Sequence, residues 1–393
     1  NDGRDAARRL RARGARVQVL DAAAVGPGER LDRCSLVIDA AYGTGFRGVY
    51  AAPDPGATPV LAVDIPSGVN GLTGEADEGA VRADATVTFA ALKPGALFSP
   101  GRELAGAVTV ADIGLPCSSA MAHVVESSDV QAWLPHRAPD AHKWRSAVWL
   151  VAGSAGMHGA AALASGGAQR AGAGYVRLSS PGADLSAGAA PVEVVRTELP
   201  HAGWDRAVLD GLDRFKALVV GPGLGTDAAT APAVQRVVHE SPVPTVIDGD
   251  GLTVLGQDIT RHTHPFSVLT PHDGEYERLT GHPPGSDRIA AARSLAKSTN
   301  ATVLLKGPTT VVADARGQVL LTTTGDARLA TAGTGDVLSG IIGALLAQGV
   351  APLHAAAAGA WLHGRAAALG PRRGLIAGDL VDRLPAVFDE LQG

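Results

Sequence analysis

Asp336 stands in the stretch "TAGTGDVLSGIIGALLAQG", residues 331–349, beside Gly333 and Gly335 and before an apolar run. Val337, Leu338, Ile341, Ile342, Leu345 and Leu346 recur at helical spacing, and Gly349 supplies a stop. A glycine-rich turn therefore enters a helix N-terminus, whose unpaired N–H groups and positive dipole end attract anions. A carboxylate fixed there is electrostatically awkward. It is useful if it must take a proton from a group about to meet a phosphate.

Further strand-like runs end in glycine or polar residues. "VAGSAGMHGAA" (151–161) and "VGPGLG" (220–225) either cradle a ligand against backbone or are ordinary tight turns. "VIDGDG" sets Asp248 and Asp250 after an apolar strand, where the pair either holds Mg2+, usually through water, or is a solvated turn. "LTPHDGE" contributes His272 and Glu275. "LLKGPTT" ends in Lys306, Gly307, Pro308, Thr309 and Thr310, which suit phosphate or ribose. Each has a bland reading alone; five such ends in one order point to a shared site. In the first third, "VIDAAYGTGFRG" places Asp39 before a glycine turn and "AVDIPSGVNGLTGE" places Asp64 before Ser67 and Gly68. As a pair they suggest a nucleotide pocket.

Alternating strands and helices must hold these residues, because ligands of doubly wound sheets sit at the carboxyl ends of the strands. Strands are expected within 15–20, 34–40, 59–66, 85–92 and 107–116, with a helix over 5–13. A second α/β rhythm starts at 147 and runs through 217–225, 244–252, 266–275 and 301–314 to the helix after Gly333. The expected organisation is a domain over 1–120, a linker over 121–141, and a second domain over 142–393. Trp133, Trp144 and Trp149 are expected to pack the junction, and the Ala-rich 351–370 to form core or a subunit contact.

The 393 residues suffice for two domains, and 46% are hydrophobic. A net charge of -5 without basic runs argues against nucleic acid. No apolar run suits a membrane span. Cys34 and Cys117 lack metal-ligand spacing and suit a reducing cytoplasm. No complete Gly-x-Gly-x-x-Gly fingerprint follows a strand with an acid downstream, which disfavours a nicotinamide dehydrogenase.

Residues 142–393 resemble the ribokinase-like ADP/ATP-dependent NAD(P)H-hydrate dehydratases, through "HKW", "VAGSAGMHGAA", "GAGYVRL", "GPGLGTD", "VIDGDGL", "LTPHDGE", "LLKGPTTVV" and the stretch around Asp336. The resemblance implies a ribokinase-like α/β/α domain. It implies dehydration of the S form of hydrated NADH or NADPH, with Mg2+ and with ADP giving AMP and phosphate. It puts Ala160, Gly225, His272 and Asp336 on the hydrated cofactor, and Lys306 to Thr310 with Gly335 on the adenine nucleotide. Where the family runs Asn-Pro-Gly-Met, this chain has Asp326, Ala327, Arg328 and Leu329. The alternative is a vitamin-precursor kinase of the same fold joined to a non-catalytic Rossmann-like binding module.

Residues 1–117 resemble the NAD(P)H-hydrate epimerase (YjeF N-terminal) family, "DIPSG" being the most telling string and "TFAALKPG" a second. This implies a Rossmann-like three-layer domain that interconverts the R and S hydrates with a bound K+. Asp64 matches the catalytic or cofactor-contacting acid; Gly43, Thr44, Gly45, Phe46, Arg47, Gly48 and Val49 match the ligand loop; Asp2, Asp39 and Ser67 match K+ ligands. The family's Gly-Asn-Asn-Gly-Gly-Asp loop is here "NDGRD", with Asp2 and Arg4 as replacements, and the family's opening helix and strand are expected to be missing. An impaired epimerase half is the expectation, and assembly into a homo-oligomer is expected of the dehydratase half.

Overall fold

The computed structural model describes residues 2–14, 16, 26–45, 48–137, 139–183 and 190–392. The chain divides into two compact units, Asn1–Cys117 and Ser118–Gly393.

The first unit opens with α1 (Asp2–Ala12) and carries four parallel strands paired in chain order: β1 (Val37–Asp39), β2 (Val60–Val63), β3 (Ala85–Phe89) and β4 (Ala107–Ala111). A short helix, α2 (Gly101–Leu104), precedes β4. Val60 and Ala62 alternate into a small core with Val81 and Ala83. The strand expected over 15–20 falls on residues outside those described, apart from Arg16. All four strands run the same way, so Asp39, the last residue of β1, and Asp64, just past β2, share one edge of the sheet.

The second unit is built on a ten-stranded sheet in the order β5-β14-β13-β12-β11-β10-β9-β6-β7-β8. β5 (Ala122–Val124) and α3 (Ser127–Trp133) come first, then β6 (Ala147–Val151), α4 (His158–Arg170), β7 (Tyr175–Ser179) and β8 (Val195–Arg196). α5 (Trp204–Asp210), β9 (Ala217–Val220), α6 (Thr230–Glu240), β10 (Thr245–Ile247) and α7 (Asp250–Leu255) follow. Next are β11 (Ser267–Leu269), α8 (Asp273–Thr280), α9 (Arg288–Thr299), β12 (Thr302–Leu305), β13 (Thr310–Ala313) and β14 (Val319–Thr322). α10 (Thr334–Ala347), α11 (Pro352–Ala368) and α12 (Ala377–Gln392) close the chain. Every residue of β6, β9, β10, β11 and β12 is buried, as continuous apolar strands covered on both faces require.

α10 is apolar nearly all round and packs on both the sheet and α4. Gly340 makes that contact possible, because a Cβ there would collide with the carbonyl of Ala164 on α4.

Three expectations change. The segment 121–141 is not a bare connection: β5 pairs in parallel with β14, and α3 has a capping box at Glu126 and Asp129. A three-residue edge strand is too short to leave a periodic pattern. The stretch 301–314, expected as one segment, is two strands, and β12, β13 and β14 pair antiparallel as hairpins. The tryptophans pack inside the second unit: Trp149 and Trp144 lie 5.1 and 6.0 Å from Phe215, and Trp133 stacks on His354 at 4.4 Å.

Candidate active site

The loops after β6, β9 and β10 are tied into one surface at the carboxyl edge of the large sheet. Gly153 N donates to Pro222 O at 2.8 Å, and Ser154 Oγ donates to Gly223 O at 2.9 Å. Gly225 N donates to Asp250 Oδ2 at 2.9 Å, so the amide of this expected contact residue is engaged. Ala160, in the first turn of α4, is 9% exposed.

Asp248, at the end of β10, is buried and surrounded by donors. Lys306 Nζ lies 2.9 Å from its Oδ1, and Ser339 Oγ of α10 donates to its Oδ2 at 2.6 Å. Lys306 Nζ also lies 3.4 Å from Glu275 Oε2. Burial alone would neutralise both partners. Their mutual attraction outweighs it: the Asp248 carboxyl sits below, and the Lys306 ammonium above, its ordinary value. Asp248 is therefore buried rather than part of a solvated turn, engaged by Lys306 and Ser339, while Asp250 accepts from Gly225 N through Oδ2. Among the described residues no cluster of three or more His, Cys, Asp or Glu side chains is suited to a metal ion.

His272 caps α8. Its Nδ1 accepts from Gly274 N at 3.0 Å and Glu275 N at 3.2 Å. Nδ1 is therefore the acceptor and a neutral ring carries its proton on Nε2, with the ring half in solvent. Lys306, Gly307 and Pro308 form the turn between β12 and β13, Thr310 starts β13, and Thr309 is buried. Arg288, which the sequence did not single out, holds this turn: its guanidinium donates to Lys306 O at 2.7 Å and grips Asp273 with two bonds of 2.8 and 3.0 Å.

α10 points its first turn at this cluster. Its N-cap, Gly333, is left-handed at φ 89; Thr334 N turns back to Thr331 O at 3.3 Å, and no side chain caps the N–H groups that follow. A Cβ on Gly335 would lie 3.6 Å from Lys306 Nζ. The buried ring of His363 meets Thr334 O at 2.9 Å through Nε2 and steadies the turn; burial pushes its pKa down to about 4, so it is a neutral donor. Asp336 follows. Burial first, then the charges of Asp248, Asp250 and Glu275 against the opposing Lys306, push its carboxyl up to about 7. In the divergent loop, Asp326 caps a short turn and binds Arg328, which reaches Gly370 O at 3.3 Å.

The first unit carries its own cluster. Ser67 donates to Asp39 twice, from Oγ at 2.6 Å and from N at 2.7 Å, and Ser67 Oγ lies 3.2 Å from Tyr42 O. Asp39 is buried, and no Lys or Arg pairs with it among the described residues. Asp64 has a left-handed φ of 72, uncommon for a residue other than glycine. Lys93 Nζ lies 2.9 Å from its Oδ1, and Thr88 Oγ1 donates to the same oxygen at 3.2 Å. Gly43 lies beside Asp64 Oδ2, followed by Thr44 and Gly45; Gly48 and the exposed Val49 resume the loop. Phe46 and Arg47 lie outside the described residues, as does the side chain of Asp2, which sits in the first turn of α1 rather than in a loop.

Two family models match the chain: NAD(P)H-hydrate dehydratase over residues 148–386, and YjeF-related protein N-terminus over residues 2–95. The bifunctional NAD(P)H-hydrate repair enzyme Nnr of Moorella thermoacetica is 39% identical over 91% of this chain and 73% of its own. Its counterpart in Mycobacterium tuberculosis H37Rv is 43% identical over 82% of this chain and 67% of its own. The solved ADP/ATP-dependent NAD(P)H-hydrate dehydratase of Bacillus subtilis, co-crystallised with ATP/Mg2+, is 32% identical, covers 68% of this chain and 97% of its own, and has a TM-score of 0.59. A ribokinase-like protein of Enterococcus faecalis shares the fold at a TM-score of 0.62 and 23% identity. With both halves matched in order along one chain, the protein belongs to the bifunctional NAD(P)H-hydrate repair enzymes.

Proposed function

We propose that the second unit dehydrates the S form of hydrated NADH or NADPH at the expense of ADP, releasing AMP and phosphate. The first unit interconverts the R and S hydrates. The observation that carries the reading is Asp336, a carboxyl with a pKa of about 7 at the uncapped end of α10 beside Lys306.

The hydrate bears a hydroxyl on ring carbon six, and hydroxide is a poor leaving group. Asp336 takes the hydroxyl proton while that oxygen attacks the terminal phosphorus of ADP and the bond to AMP breaks. Lys306 and the open N–H groups of α10 carry the charge on the moving phosphoryl group. The ring nitrogen lone pair then expels phosphate from carbon six, and loss of a proton from carbon five restores the double bond. Lys306 to Thr310 with Gly335 hold the nucleotide; Ala160, Gly225 and His272 hold the hydrated cofactor.

Mg2+ fits as an ion arriving on the nucleotide rather than in a protein cage, since it commonly keeps waters and one or two carboxylates. Among the described residues no cation pairs with Asp250, so Asp250 would meet the ion, which would neutralise phosphate charge. In the first unit, the carboxylate of Asp39, the Ser67 hydroxyl and the Tyr42 carbonyl make a hard oxygen set suited to K+. There Asp64, paired with Lys93, is the acid–base group for epimerisation, and residues 43–49 embrace the ligand. No described helix is long and apolar enough to cross a membrane, and both cysteines are free; we assign the reaction to the cytoplasm.

Asp336→Asn tests the reading. Its turnover should fall by about 10²–10⁴-fold, the usual contribution of a positioned base, while ADP still binds. Near-normal turnover would remove Asp336 from the role.

A further inference from the structure

The two helices that present Asp336 and Ala160 share a second end. α4 finishes at Arg170, and α10 is followed by Gln348. Both line a cavity of about 960 Å³, within the range of sites for small molecules. Ser146, Gly172 and Lys216 also line it and directly precede or approach β6, β7 and β9. The cavity therefore lies at the amino edge of the sheet, whereas the site above lies at the carboxyl edge. A helix of 14 residues such as α10 spans about 21 Å, so one ligand cannot occupy both places.

The charges on its wall are unbalanced. Arg137, Arg170 and Lys216 face the cavity, and none has an ion-pair partner among the described residues. Arg145 is neutralised by Asp140 at 2.6 Å, which leaves Asp389 as the one acid in the lining. Unpaired cations lining one concave surface repel one another, and an occupant with several negative charges relieves that cost. The lining is also partly apolar: Phe388 and Pro385 of α12 belong to it with Leu134 and Pro135, which offers a flat ring somewhere to bury. Cations for phosphates and apolar groups for a ring in one lining describe a nucleoside polyphosphate. The net charge of -5 does not suit a nucleic-acid strand.

We propose that this cavity is a second nucleotide site, separate from the reacting centre, with Arg137, Arg170 and Lys216 receiving the phosphates and Phe388 the base. Equilibrium dialysis of the full chain with labelled ADP is the test. Two molecules of ADP should bind per chain. Arg170→Ala with Lys216→Ala should weaken one of them by about tenfold or more, as expected for lost charge-assisted bonds. Lys306→Ala should weaken the other one alone, so failure of the catalytic reading and failure of this proposal are separately visible. Both changed residues are exposed, and an unchanged melting midpoint confirms the fold; Arg137→Glu should lower affinity at the same site as an independent variant. One ADP per chain in the unaltered protein, or two whose affinities ignore residues 137, 170 and 216, would overturn the proposal.

Discussion

Asp336 is where solution pH acts most directly. A base with a pKa near 7 must be ionised to work, so kcat/KM should climb about tenfold per pH unit below 7 and level off above it. A profile flat from about pH 5 to 9 would contradict the assignment. The same residue weakens the fold. Its carboxyl titrates near 3.8 in an unfolded chain but at about 7 when folded, so the folded chain binds the extra proton between those values. Stability should fall as pH rises through that window. Asp336→Asn should therefore melt higher than the parent at pH 8 and match it near pH 4, by roughly 2–4 °C for each kcal/mol relieved. His363 acts in the opposite sense. Its folded value of about 4 lies below the ordinary 6.5, so stability is lost as pH falls through that interval. Thermal melts of Asp336→Asn against the parent across both windows separate the two. At this scale the sequence was informative about Asp336, Lys306 and His272, because glycine turns at strand ends mark them. It was silent about Ser339 and Arg288. Ser339 reads as one polar residue on an apolar helix, and its bond to Asp248 spans 91 residues.

At the level of elements, α10 works as a rigid pointer. The contact of Gly340 with the Ala164 carbonyl leaves no room for a side chain. Gly340→Val should force α4 and α10 apart, costing about 1–3 kcal/mol or more as overpacking does, and should lower the melting temperature together with turnover. A fully stable, fully active Gly340→Val protein would show that the helix is not held as described. The hairpin turn after β12 has a different task. Lys306→Met should raise the KM for ADP far more than that for the hydrate. Strands were legible where an apolar run met a glycine-containing turn, as at β6, β9, β10 and β11. β5, β7, β8 and β14 escaped notice because no glycine turn at their ends marked them, and β5 is recognisable only by its partner nearly 200 positions away. The antiparallel turn at β13 likewise looked like one long strand over 301–314.

For the whole molecule, the division at Cys117 and Ser118 predicts two separable activities. Residues 118–393 expressed alone should keep ADP-dependent dehydration of the S hydrate and leave the R hydrate untouched. Adding K+ and residues 1–117 should restore use of the R form to whatever extent the first unit epimerises. Consumption of the R hydrate by 118–393 alone would contradict the assignment of roles. The chemistry itself is open to one isotope experiment. With oxygen-18 placed in the carbon-six hydroxyl of the S hydrate, the full chain and ADP should deliver the label into inorganic phosphate. Label found in water instead would mean that the hydroxyl never received the phosphoryl group, and the role given to the end of α10 would be wrong.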